Sequence, residues 1–244
     1  PYYSEKMVYL PHCYQVNDHK QKISDTPFSR SDFNLPENAF VYASFNNNFK
    51  IEPVIFEVWM NLLKKTPGSV LWLFKGNDLV EQNLRNEAHL RGVDADRLVF
   101  FGRLPKDQHL ARCRLADLAL DTRIYGGHTT TSDALWVGVP VVATRGNHFA
   151  SRVSTSILEA VGLPELITKN LEEYEALALR LSTNPDELEN LKNKLLGNRM
   201  SDPLFDTPRF IKNLESAYQS MWDKHLSGEA ASRIDVIERK SQTF

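Results

Sequence analysis

With 244 residues, 42% of them hydrophobic and 25% charged, the chain is long enough to bury a substantial core and has the composition of an ordinary globular protein. A formal net charge of −2 excludes broad electrostatic binding to nucleic acid or to an anionic membrane, so any phosphate recognition must be local. No apolar run approaches the roughly 20 residues of a membrane span, and the start Pro1-Tyr2-Tyr3-Ser4-Glu5-Lys6 lacks the pattern of a signal peptide. Cys13 and Cys113 stand far apart with no metal-ligand spacing around them, which argues against a disulfide framework or a zinc site and makes a reducing, cytoplasmic setting the expectation.

Residues 1–38 are rich in Tyr, His, Pro and Asp without a clean period, and read as a linker or as the edge of a neighbouring unit. From residue 39 onward, short β-rich runs alternate with stretches of helical period. Strands are predicted over 39–45, 69–74, 97–102, 116–121 and 139–144. Between them, 53–64, 79–92, 107–113 and 131–137 place apolar residues at helical spacing, as in Val54, Val58 and Leu62. This alternation is the pattern of βαβ units, and it predicts an α/β fold with a Rossmann-like, doubly wound parallel sheet. Beyond the sheet, helices are predicted over 151–161, 171–182, 185–196 and 207–226. The last carries Phe210, Leu214, Tyr218, Met221 and Trp222 on one stripe, expected to pack against the domain. Residues 227–244 form a polar tail with no apolar face and are expected to fray. The chain thus divides into 1–38, a nucleotide-binding lobe over 39–226, and the tail.

In a doubly wound sheet ligands gather at the carboxyl ends of the strands, and each polar loop of interest follows a predicted strand. After the first comes Asn46-Asn47-Asn48-Phe49-Lys50, where Lys50 can offer a point charge to a diphosphate or simply remain solvated. After the third, Lys106 precedes His109 and Arg112, which are one helical turn apart; they can frame a planar base or form a charged outer face. After the fourth stands Gly126-Gly127-His128-Thr129-Thr130-Thr131-Ser132-Asp133. The first turn of a helix leaves N–H groups unpaired and carries partial positive charge, so it attracts phosphate. Glycines permit close approach, His128, Thr129 and Thr130 add donors, and Asp133 can accept from two vicinal ribose hydroxyls. The same pattern suits a capped helix after a glycine turn. After the fifth strand, His148 and Arg152 can reach a ligand or cap the turn. No GxGxxG follows the first strand and no GxxxxGK[ST] occurs, which disfavours a standard dinucleotide fold and excludes a P-loop. A sugar nucleotide fits the set best.

Several stretches carry a resemblance. They include Leu10-Pro11-His12, Ser44-Phe45-Asn46-Asn47 with Lys50-Ile51, Leu120-Asp121-Thr122, Gly127-His128-Thr129-Thr130, Ala150-Ser151-Arg152-Val153 and Pro203-Leu204-Phe205. Through them the chain resembles the C-terminal catalytic lobe of the protein O-linked N-acetylglucosamine transferases, especially the bacterial tetratricopeptide-fused type. The resemblance implies a two-lobed, GT-B type enzyme with the nucleotide sugar in the cleft. It implies Lys50 on the leaving diphosphate, joined by His128, Thr129 and Thr130, with Lys106, His109 and Arg112 around the uracil and Asp133 on the ribose. Asn47 stands where family members often carry Gln, and shares the implied donor contact. The implied reaction is an inverting transfer from UDP-N-acetylglucosamine to Ser or Thr hydroxyls of proteins, with no cofactor and no metal, since Lys50 and a helix N-terminus can do the work of a divalent cation. The family's proposed catalytic histidine and acceptor groove belong to an N-terminal lobe and repeats outside this sequence, so residues 1–38 are expected to be the end of that lobe. Protein acceptors would be held there. Spindly-type O-fucosyltransferases using GDP-fucose and N-glucosyltransferases using UDP-glucose are the neighbouring alternatives, and Gly127-His128-Thr129-Thr130 favours the first family over the Spindly type. A UDP-binding or assembly module without turnover is the alternative from another class.

Overall fold

A computed structural model describes residues 3–238. A two-residue strand, β1 (Val8–Tyr9), precedes a six-stranded parallel sheet built from β2 (Val41–Ser44), β3 (Val70–Phe74), β4 (Leu98–Phe101), β5 (Leu118–Leu120), β6 (Val141–Thr144) and β7 (Ile167–Thr168). The sheet order is β4-β3-β2-β5-β6-β7, so the winding reverses between β2 and β5, which pair with Tyr42 opposite Leu118 and Ala43 opposite Ala119. Strands covered on both faces need apolar side chains in both directions, and Val41-Tyr42-Ala43, Leu71-Trp72-Leu73 and Leu118-Ala119-Leu120 are all buried.

The covering helices are α1 (Pro53–Lys65), α2 (Asp78–Leu90), α3 (Lys106–Cys113), α4 (Thr129–Trp136), α5 (Val153–Ala160), α6 (Leu171–Thr183), α7 (Pro185–Asn198) and α8 (Thr207–Leu226). Four of the eight start on a side-chain cap. Glu52 accepts from the Val54 and Ile55 amides with Pro53 in the first turn, Asn77 accepts from Val80, Asn170 from Glu173 and Asp206 from Arg209. Helix α4, like α3, α5 and α7, starts without such a cap, and His128 at its N-cap makes no side-chain capping bond. Trp59, Trp72, Tyr42 and Tyr174 anchor the core, and the Trp59 indole donates to the Tyr174 hydroxyl at 3.2 Å. No helix among the described residues is long and apolar enough to cross a membrane.

All five predicted strands form, each trimmed at one or both ends, and a short sixth, β7, joins them at the edge. Three expectations need correction. The stripe on α8 is not a core face: Tyr218 is 60% and Trp222 55% exposed, and α8 buries Asn213 and Ala217 instead. A helix of 20 residues is about 30 Å long, and this one packs chiefly against the 3-10 turn Pro203–Phe205 and the tail. The tail does not fray over its described part. Its β8 (Ile234–Asp235) pairs in parallel with β1, Val236 is buried, and Glu238 accepts from Arg209 Nε at 2.6 Å and bonds His12 Nε2 at 3.0 Å. Backbone pairing and ion pairs leave no apolar period to read; residues 239–244 lie outside the described residues. Finally, residues 3–38 pack along this lobe rather than standing off as a linker. Cys13 and Leu35 are buried, Arg30 donates to the Ala39 carbonyl at 2.7 Å and the Asp117 carboxylate at 2.9 Å, and Asn17 donates to the Leu204 carbonyl at 3.2 Å.

Candidate functional site

The winding reversal opens a crevice at the carboxyl ends of β2 and β5, and two polar residues emerge there. Asp121 follows β5 and is only 4% exposed. Its Oδ1 accepts from Asn46 Nδ2 at 2.9 Å and from the Gly127 amide at 2.7 Å, tying the end of β2 to the glycine loop. Burial raises the Asp121 carboxyl above its ordinary range, and these hydrogen bonds oppose the rise. Asn46 Oδ1 in turn accepts from Thr130 Oγ1 at 2.7 Å and from Lys50 Nζ at 3.3 Å.

Lys50 Nζ also donates to the Gly126 carbonyl at 2.9 Å and lies 4.1 Å from the centre of the Tyr125 ring. Burial lowers its affinity for a proton, and the charge of Asp121 opposes that. Among the described residues the ammonium has neutral oxygens and a ring face as direct partners and no ion pair within 4.0 Å. A half-buried cation so placed gains by meeting an anion.

Gly127 fits where no other residue would. A Cβ there would lie 2.2 Å from Thr131 Oγ1 and 3.2 Å from the Thr131 amide nitrogen. Its carbonyl accepts from Ser154 Oγ at 2.7 Å, so the loop is fixed from both sides. The uncapped first turn of α4 therefore faces the crevice with Thr129 exposed and Thr130 turned toward Asn46. His128 Nδ1 lies 2.7 Å from the Tyr14 hydroxyl, while Nε2 is buried with no partner among the described residues. Burial first, and then the charge of Lys50, lower the His128 pKa, which favours the neutral ring.

On the other flank, Lys106 of α3 pairs with Asp133 of α4. Asp133 is buried, and burial raises its carboxyl while Lys106 opposes the shift. His109 is pushed down to about 4, first by burial and then by Arg112 and Lys106. Its Nδ1 accepts from Arg112 Nε at 3.2 Å, which leaves Nε2 as the protonated nitrogen.

The structure thus brings Lys50, His128, Thr129, Thr130, Lys106, His109 and Asp133 to one rim, with two differences. Arg112 is 3% exposed, donates to the Gly102 carbonyl at 2.7 Å and stacks 4.3 Å over Phe101, so it orients His109 rather than offering a free flat cation. Asn47 is exposed with no side-chain bond, and Asn46 is the asparagine in the network. His148 and Arg152 stay exposed at a turn. Asn46, Asp121, Tyr125, Ser154 and Tyr14 were not singled out from sequence; a polar residue ending a buried strand was the available signal for Asn46 and Asp121, and nothing local marked Tyr14. A large groove along α8, lined by Arg209, Lys212, Ser216 and Glu238, lies apart from this cluster.

Residues 22–214 match the model of Glycosyl transferase family 41. The chain belongs to glycosyl transferase family 41. The Arabidopsis thaliana probable UDP-N-acetylglucosamine–peptide N-acetylglucosaminyltransferase SEC is 43% identical to the chain over 242 residues, covering 97% of this chain and 25% of the relative. The Caenorhabditis elegans UDP-N-acetylglucosamine–peptide N-acetylglucosaminyltransferase is 38% identical over 215 residues, covering 88% of this chain and 18% of the relative. In structure, a variant of the Thermobaculum terrenum O-GlcNAc transferase superposes with a TM-score of 0.71 at 33% identity, over 78% of this chain and 37% of that one. A sucrose-phosphate synthase from Thermosynechococcus elongatus, at 17% identity and a TM-score of 0.61, shares the fold over 52% of its length. The structural matches are to GT-B glycosyltransferases, and the six-stranded parallel sheet is consistent with one lobe of that fold. It spans a quarter or less of the length of these two curated relatives.

Proposed function

We propose that this chain is the nucleotide-sugar-binding lobe of an inverting, metal-independent glycosyltransferase that moves N-acetylglucosamine from UDP-GlcNAc to Ser or Thr hydroxyls of proteins. The observation that carries this reading is the half-buried Lys50 ammonium beside the uncapped first turn of α4 at the winding reversal. In an inverting transfer the acceptor oxygen bonds to the sugar's anomeric carbon as the bond to the diphosphate breaks, and the electron pair leaves with UDP. Negative charge therefore grows on the diphosphate in the transition state, which is where preorganised positive charge and N–H donors lower the barrier. Lys50, His128, Thr129, Thr130 and the α4 amides supply them. Asp133 takes the ribose hydroxyls beside Lys106, and His109, neutral and held by Arg112, lies at the uracil. The acceptor's proton goes to a base that none of these residues provides.

The relatives support the choice of donor. The SEC protein shares 43% of its matched residues with the chain, against 33% for the Petunia hybrida SPINDLY protein over a similar span, and both carry names that specify UDP-N-acetylglucosamine. The plant and nematode proteins share more residues with the chain than the bacterial structure does, so the reading does not require a bacterial repeat-fused parent. Acceptor binding and turnover belong, on this reading, to the full length of such a protein. Titration of the 244-residue chain with UDP, GDP and UDP-GlcNAc tests the donor assignment. UDP and UDP-GlcNAc are expected to bind and GDP to bind far more weakly; preference for GDP would move the chain to the fucosyl-transferring reading.

A further inference from the structure

Tyr14 comes from the segment ahead of the sheet and reaches His128 across 114 residues of sequence. Its ring packs on Phe149 at 5.1 Å and edge-on to His128 at 6.0 Å, while Tyr125 and Phe149 flank the same imidazole at 5.4 Å and 6.1 Å. Within this aromatic surround one imidazole nitrogen, Nδ1, has the Tyr14 hydroxyl at 2.7 Å, and the other, Nε2, is buried with no partner among the described residues.

The direction of the Tyr14 bond follows from acidity. A phenol is a far stronger acid than a neutral imidazole N–H, and an imidazole nitrogen is a far better acceptor than a phenol oxygen. The stronger arrangement is therefore Tyr14 O–H donating to Nδ1. A neutral imidazole carries one proton, so accepting at Nδ1 places it on Nε2. The orphaned nitrogen is then a buried donor without a partner among the described residues, on a ring that caps the start of α4 and feels the charge of Lys50.

We propose that Tyr14 is a positioning residue that locks His128 as the Nε2–H tautomer and ring orientation, so that Nε2 donates to a phosphate oxygen of the nucleotide sugar. The inference rests on the donor-site reading above. It explains why a histidine beside a lysine suits an anion site: a neutral ring donates without adding a second charge that Lys50 would repel. It also gives the N-terminal segment a part in the donor site.

The test combines Tyr14→Phe, His128→Ala and the double variant of the whole chain. Tyr14→Phe keeps the ring packing and removes only the hydroxyl. Calorimetry is expected to show UDP binding weakened about threefold to tenfold by Tyr14→Phe in the native background and unchanged by it in the His128→Ala background. Nitrogen-15 NMR of the unmodified protein is expected to show His128 neutral with the proton on Nε2 and Nδ1 hydrogen-bonded, and to lose that Nδ1 signature in Tyr14→Phe. An Nδ1–H form in the unmodified protein, or an equal affinity loss in both backgrounds, overturns the inference while leaving the donor reading intact. Failure of the unmodified chain to bind UDP overturns the donor reading itself.

Discussion

Asp133 is a buried carboxylate paired with Lys106, and the proposed function assigns it to the ribose hydroxyls of the bound nucleotide. UDP is expected to bind more tightly than its 2′-deoxy analogue by about 1.5–3 kcal/mol, because a carboxylate accepting from two hydroxyls loses a charge-assisted bond when one is absent. Asp133→Ala should erase the difference in calorimetric titrations. Equal affinities in the unmodified protein would leave Asp133 as the partner of Lys106 alone. His109 makes a second prediction. Its pKa falls from 6.5 to about 4, so as pH drops the unfolded chain takes up a proton that the folded chain refuses. The stability that the neutral ring contributes is complete above the unfolded value and is lost as pH falls through the folded one, by at most about 3 kcal/mol. Thermal melts between about pH 7 and pH 4 should therefore show a steeper loss for the unmodified protein than for His109→Gln; parallel profiles would contradict the assignment. Lys50, His128, Thr130 and Asp133 were legible in the sequence because a strand end or helix start marks each. Asn46 and Asn47 were not separable, since consecutive positions at a strand end face opposite sides and an Asn run carries no sign of which turns inward.

At the scale of elements, the glycine loop and α4 act as one rigid cradle. In Gly127→Ala the new Cβ would lie 2.2 Å from Thr131 Oγ1 and 2.9 Å from Thr130 Oγ1, both on short side chains fixed to the helix start. The first turn must shift, at a cost of about 1–3 kcal/mol in stability, with UDP affinity falling at least about tenfold as the amides lose their aim. Calorimetric unfolding and UDP titration of this variant should show both losses, and a variant that binds UDP normally would show that the loop is not part of the site. Five strands and eight helices were legible because each carries a clear period or an unbroken apolar run. The edge strand β7 is too short for either signal. The α8 stripe shows the opposite failure: its period is genuine, yet Tyr218 and Trp222 face outward, because a period shows that a helix has an apolar face and not whether this lobe covers it.

For the whole molecule, the decisive feature is the sheet order. Local pattern specifies parallel strands joined by helices, but the reversal between β2 and β5 depends on non-local pairing that no window of sequence contains. That reversal brings Asn46 and Asp121 together and sets Lys50 against the start of α4. The pairing of β1 with β8 and the Arg30–Asp117 ion pair hold the N-terminal segment against the lobe, so that Tyr14 reaches His128. The central claim is that a UDP diphosphate sits over α4 against the Lys50 ammonium, and calorimetric titration of UDP into the unmodified and Lys50→Ala proteins measures it directly. Binding by the unmodified chain and a loss of about 2–3 kcal/mol in the variant, roughly thirtyfold to hundredfold, is the result expected for removing a partly buried charged partner. Equal UDP affinity in the two proteins, or no binding by the unmodified chain, would contradict it.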